Sequence, residues 1–106
     1  SVTELNALLE AEADDVVLID VRNPSEAEVA SIAGSHLIPL STIENGDAVD
    51  QVRSLALGKR LYVHCKLGGR SARAVQMLGS HGIEAINVDG GIDAWAQLID
   101  AEMARY

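Results

Sequence analysis

Cys65-Lys66-Leu67-Gly68-Gly69-Arg70 places one thiol, two adjacent glycines and two cations within six residues, and Ser71 follows. Cys65 is the only cysteine in the chain and stands where the apolar run RLYVH (60–64) stops. The glycine pair lets the backbone turn tightly, including through positive φ, so that successive N–H groups face one concavity. Such a concavity binds anions, and a helix beginning at Ser71 would add positive potential behind it. A thiol at its mouth should ionise easily, since cysteines at helix N-termini or beside cations fall from about 8.5 to about 3.5–7.5. Lys66 and Arg70 act in the same direction. The chemistry implied is a thiolate nucleophile whose attached group is anionic. A lone cysteine at a strand end is more often a small buried hydrophobe; the glycines, cations and helix start around Cys65 turn the balance toward a reactive thiol.

Other candidates are weaker. His64 precedes Cys65 and on an extended strand points to the opposite face, which makes it a packed or surface histidine and not a general base. His36 and His81 have no partner pattern and read as structural.

The elements that must present this loop alternate in type. VVLID (16–20), SHLIPL (strand over 35–38, ended by Pro39), RLYVH (60–64) and EAINVD (strand over 84–88) are short apolar runs of the kind found in buried parallel strands. Between them lie helix patterns. Thr3 is the expected cap of ELNALLEAEA (4–13), and Asn23 followed by Pro24 starts a helix that SEAEVAS (25–31) continues. AVDQVRSLA (48–56) and SARAVQMLGSHG (71–82) have helical spacing, with Gly82 as a C-terminal cap. IDAWAQLIDAEMARY (92–106) is the closing helix, and STIENGD (41–47) reads as a turn-rich connection. This alternation predicts right-handed βαβ units and a parallel sheet with helices on both faces. Ligands in such folds sit outside the carboxyl ends of the strands, which is where Cys65 would be delivered.

Composition sets the bounds. The 106 residues suit one domain, and 48% apolar residues suffice for a core, which must be aliphatic because there is no Phe, one Trp and two Tyr. A net charge of −8 argues against nucleic acid or an anionic membrane as partner. Yet three of the eight Lys and Arg (Lys66, Arg70, Arg73) fall in the nine residues that begin at Cys65, a local positive site on an acidic protein. No stretch suggests a membrane span or a secretion signal. One cysteine makes neither an internal disulfide nor a multi-thiolate zinc site, so no metal is expected and a reducing cytoplasm fits best. The chain opens at Ser1 without an initiator methionine, so a trimmed or excised domain is as much to be expected as a free-standing small protein.

CKLGGR before a helix, LIDVRNPSE (18–26) upstream and VDGGIDAW (88–95) downstream resemble the rhodanese domain, in the family's order and spacing. The resemblance covers nearly the whole chain. It implies a parallel sheet of about five strands flanked by helices, and a sulfurtransferase that needs no cofactor. Cys65 matches the family's catalytic cysteine, which takes a sulfane sulfur from a donor as a persulfide and yields it to a second nucleophile. Lys66, Leu67, Gly68, Gly69 and Arg70 match the loop whose amides hold the outer sulfur. Asp20 and Arg22 match a supporting pair at the end of the first strand, and Glu26, four residues on, is placed to pair with Arg22. Ala27 and Ser31 depart from the family's aromatic and histidine, and Leu67 stands where thiosulfate-specific members carry a cation. Within the family the wording is most similar to rhodanese domains at the C-terminus of molybdopterin-synthase adenylyltransferases. That implies, as partners, a small-molecule or protein persulfide donor, a ubiquitin-like sulfur-carrier protein and an adenylyltransferase domain.

Two other readings compete. Related cysteine phosphatases and arsenate reductases place five residues between Cys and Arg around a tetrahedral oxyanion, whereas four intervene here. A catalytically silent rhodanese-like binding module commonly lacks the cysteine, which this chain retains.

Overall fold

Val16–Asp20 (β1) and Arg60–His64 (β3) form the centre of a four-stranded sheet, with His36–Leu37 (β2) outside β1 and Ile86–Asn87 (β4) outside β3. All three pairings are parallel. The computed structural model describes residues 1–11 and 14–104, and among them four strands stand where the resemblance implies about five. Both outer strands are two residues long, shorter than the apolar runs that predict them.

Period-two alternation splits the central strands between two cores. Val17 and Ile19 of β1 and Leu61 and Val63 of β3 pack against Ile43, Val49, Val52, Ala74 and Leu78. Those partners come from helices α3 (Leu40–Glu44), α4 (Val49–Ala56) and α5 (Gly69–Ser80). Leu18 and Tyr62 face the other way, onto Val2 and Leu5 of α1 (Val2–Glu10) and Ile92 and Trp95 of α6 (Gly91–Leu98). Helices therefore cover both faces. Cys65 belongs to the first core, on the α5 side.

Several helix ends differ from the sequence reading. Ser1, not Thr3, caps α1, its hydroxyl accepting the Glu4 N–H at 3.3 Å. Residues 12 and 13 of the expected first helix lie outside the described residues. Pro24–Val29 (α2) starts at Asn23 as expected but stops before Ser31. The STIENGD connection contains α3, a five-residue helix that turn-forming residues at its end had masked. It starts after Pro39, whose fixed φ suits a helix entry, and buries Ile43. α5 begins at Gly69, two residues before Ser71, so Arg70 and Ser71 occupy its first turn. At its far end Ile83 N–H bonds Leu78 O and Gly82 N–H bonds Gly79 O, each at 3.0 Å, a Schellman closure around a left-handed Gly82. α6 ends at Leu98 rather than continuing through the terminus, and residues 105 and 106 lie outside the described residues. No helix among the described residues is long and apolar enough to cross a membrane.

The chain goes from β1 outward to β2, then crosses back to β3 on the other side of β1. Ligands in open α/β sheets bind at such a reversal, beyond the carboxyl ends. Asp20 and His64 are the last paired residues of β1 and β3, and Cys65 follows immediately.

Candidate active site

Cys65 is held at the floor of a loop that closes around its sulfur. The Gly68 N–H donates to Sγ at 3.0 Å, and the Ser71 hydroxyl lies 3.3 Å from Sγ. Gly68 has φ +124°, a conformation that L side chains rarely adopt, so the turn aiming its amide at sulfur needs glycine. Burial pushes the Cys65 thiol up, but the Ser71 hydroxyl and the backbone amides of Ser71, Gly68 and Leu67 outweigh it, and the thiol ionises below its ordinary value. The shift comes from hydrogen bonds to the charged form. Cys65 itself is only 1% exposed, so the thiol is not at the rim, whereas Leu67 at the loop apex is 66% exposed.

The supporting charges form a chain of contacts. Arg22 and Asp20 are both buried, and the guanidinium grips the carboxylate with Nε–Oδ1 at 2.9 Å and NH2–Oδ2 at 2.7 Å. Arg22 also reaches the carbonyl of Ala30 at 2.8 Å and that of Glu26 at 3.4 Å, tying α2 to the end of β1. The Glu26 carboxylate takes both NH groups of Arg70 in a fork, with NH2–Oε2 at 2.8 Å. Its Oε1 also accepts the Asn23 N–H at 3.1 Å, so the residue that closes the start of α2 also anchors the loop.

His64 is fully buried on the face opposite Cys65. Its Nδ1 is 3.4 Å from the Cys65 carbonyl, its Nε2 is 4.0 Å from Asp20 Oδ2, and Nε2 has no hydrogen-bond partner. Burial holds the imidazole below its ordinary value despite the pull of Asp20 and the Cys65 carbonyl, so it is neutral at pH 7. It is a packed histidine and does not touch the thiol. His36 and His81 are exposed, and His81 caps the end of α5.

Two positions escape a reading by motif. Gly91 begins α6 with φ +57°, and a Cβ there would stand 2.4 Å from the Cys65 carbonyl oxygen and 2.5 Å from that of Lys66. The same two carbonyls accept the N–H groups of Ile92 at 2.9 Å and Asp93 at 3.1 Å, so the loop caps α6 while α6 fixes the loop. Asn87, at the end of β4, accepts from the Ser71 hydroxyl at 2.5 Å and donates to the Gly68 carbonyl at 3.3 Å. The adjacent glycines 90 and 91 were a visible signal for the first contact; a polar residue at the end of a two-residue strand gave none for the second. A cavity of about 460 Å³ lies at the opposite end of β3, between Lys59–Leu61, Val75 and Ile83–Ile86, and does not include Cys65. Among the described residues no group of three His, Cys, Asp or Glu side chains could hold a metal ion.

Comparison with known proteins agrees with this geometry. Residues 1–98 match the family described as the Rhodanese-like domain. The "Uncharacterized 16.5 kDa protein in psaL 5'region" of Synechococcus elongatus is 59% identical over 69 residues, covering 65% of this chain and 46% of that protein. The probable adenylyltransferase/sulfurtransferase MoeZ of Mycobacterium tuberculosis is 36% identical over 86% of this chain but only 23% of its own length. The chain thus spans less than half of either relative. Among solved structures, SSP1007 from Staphylococcus saprophyticus superposes with a TM-score of 0.78 at 32% identity, covering 99% of this chain and 95% of that one. With the strand-end cysteine, the loop and the sheet all in place, the chain belongs to the rhodanese-like domain family.

Proposed function

We propose that the protein is a sulfurtransferase that carries sulfane sulfur as a persulfide on Cys65. The observation that carries this reading is the convergence of the Gly68 N–H at 3.0 Å and the Ser71 hydroxyl at 3.3 Å on one sulfur atom. In the first step the Cys65 thiolate attacks the outer sulfur of a donor such as thiosulfate. A new S–S bond forms, the donor's S–S bond breaks, and sulfite leaves with the bonding pair. In the second step a nucleophile attacks the outer sulfur and the Cys65 thiolate departs, with loop hydrogen bonds stabilising it as it leaves.

The finer reading is that the acceptor is the activated C-terminal glycine of a ubiquitin-like carrier. The persulfide sulfur would attack a carrier acyl adenylate, expelling AMP, and an external thiol would cleave the resulting acyl disulfide to a thiocarboxylate. The likeness to MoeZ, named as both adenylyltransferase and sulfurtransferase, supports it. So does the exposed apolar Leu67 at the loop apex, which suits a protein surface better than an inorganic anion. A reducing cytoplasm is the compartment we propose for a lone unpaired thiol.

The phosphatase reading has less support. Only four residues separate Cys65 from Arg70, and the Arg70 guanidinium is engaged by the Glu26 carboxylate rather than turned to an oxyanion. Turnover of thiosulfate and cyanide to thiocyanate tests the proposal: it should be present in the native chain and lost in Cys65→Ala. Activity retained by that variant would overturn it. The carrier step is tested with ATP, an adenylylating domain and a ubiquitin-like carrier, whose C-terminus should exchange oxygen for sulfur. No exchange while cyanide is still served would leave a general sulfurtransferase.

A further inference from the structure

The Ser71 hydroxyl has one proton and three acceptors within reach. These are Asn87 Oδ1 at 2.5 Å, the Gly68 carbonyl at 3.1 Å and Cys65 Sγ at 3.3 Å. The Asn87 amide can face Ser71 in only one sense. Its Nδ2 donates to the Gly68 carbonyl at 3.3 Å, and turning the amide over would set two carbonyl oxygens against each other. Asn87 therefore offers Ser71 an acceptor only, and the shortest of the three contacts shows where the proton goes.

We propose that Asn87 is a positioning residue that competes with Cys65 for the Ser71 hydroxyl proton, and so governs how readily Cys65 becomes a nucleophile and a leaving group. While Cys65 is a thiol, its S–H donates to Ser71 Oγ and Ser71 donates to Asn87 Oδ1; every group is satisfied. When the thiol proton leaves for solvent, the hydroxyl rotates about its C–O bond to donate to the thiolate, and Asn87 Oδ1 loses its donor. Ionisation thus costs one hydrogen bond at Asn87. In the persulfide Sγ has no proton and no full charge, so Ser71 returns to Asn87 and the loop amides are left to the outer sulfur. As that sulfur departs, charge returns to Sγ and the hydroxyl swings back. Asn87 restrains the thiolate between turnovers.

This inference rests on the reading of Cys65 as the sulfur-carrying nucleophile, but its test does not require sulfur transfer. The readout is the rate of Cys65 alkylation by iodoacetamide against pH in the intact chain. Asn87→Ala frees the hydroxyl, and the midpoint should fall by about half a unit to one unit, the worth of one hydrogen bond. A purely structural role predicts the opposite sign, because loss of the Asn87–Gly68 contact would loosen the Gly68 amide from sulfur and raise the midpoint. Ser71→Ala should raise the midpoint, and adding Asn87→Ala in that background should produce no further fall. The titratable groups around the loop are neutral His64 on β3, Lys66 and Arg70 beside Cys65, Glu26 on α2, and Asp89 and Asp93 flanking the start of α6. All remain in these variants, so a background field cannot supply the difference. Asn87→Leu, which keeps the volume, is the second variant should alanine destabilise the fold. An unchanged or raised midpoint in the folded variants, or a fall that persists without Ser71, overturns the proposal, as does failure of both variants to fold. Persulfide formation in the unsubstituted chain is measured separately, so failure here is distinguishable from failure of the sulfurtransferase reading.

Discussion

Replacing Gly91 by alanine tests whether α6 is what holds the cysteine loop in place. The added Cβ would lie 2.4 Å from Cys65 O, 2.5 Å from Lys66 O and 2.6 Å from Lys66 C, all backbone atoms that cannot swing aside. The φ of +57° adds a left-handed penalty of about 1–2 kcal/mol for an L residue. Overpacking against rigid neighbours adds about 1–3 kcal/mol, for a total of about 2–5 kcal/mol. At about 4–8 °C per kcal/mol for a domain of this size, the melting temperature should fall by at least about 8 °C. Trp95, the only tryptophan, is buried on the same helix, so its emission reports the change directly. Displacing the Cys65 and Lys66 carbonyls also moves the thiol from its amides, and thiocyanate formation should fall about tenfold or more. Gly79→Ala is the matched control. It lies in α5 with nothing within 4 Å of its Cβ position and without positive φ, so alanine there should stabilise by about 0.5–1 kcal/mol. If Gly91→Ala melts and turns over like the native chain, the reasoning about α6 and the loop is refuted.

Two further perturbations follow from the charges. Glu26→Gln removes the anion that anchors Arg70. Because the pair is partly exposed, at 35% and 17%, the cost should be about 1–2 kcal/mol in urea unfolding, and turnover should slow as the loop loses its brace; equal stability and rate would show the fork to be idle. His64, whose imidazole burial holds below the usual value of about 6.5, contributes stability that is full above that pH and lost as pH falls toward the lower folded value. The stability profile should therefore slope by up to about 1.4 kcal/mol per pH unit below about 6.5, and His64→Gln should flatten that segment; an unchanged slope would mean other groups carry it.

The parts legible in the sequence were those fixed by local physics. Short apolar runs marked β1 and β3, and Asn23-Pro24 marked the start of α2 because cap and first-turn proline act within four residues. Cys65 at the carboxyl edge followed from strand alternation and chain direction alone. What was not legible depended on distant residues. Glu26 binds Arg70, 44 positions away in the chain. Asn87 reaches Ser71 only because β4 lies beside β3. Gly69 reads as loop by propensity, yet it begins α5 because the turn at Gly68 and the bonds around Cys65 organise the helix start. Even the exposure of the thiol was misjudged, since the loop folds over sulfur rather than displaying it.

The central claim is that Cys65 holds transferable sulfur, and intact-mass measurement after incubation with thiosulfate tests it most directly. The account predicts a gain of one sulfur atom per chain, removed by a thiol reductant or by cyanide and absent from Cys65→Ala. A chain that gains no sulfur from thiosulfate or from a protein persulfide donor, or a Cys65→Ala variant that gains it equally, would contradict it.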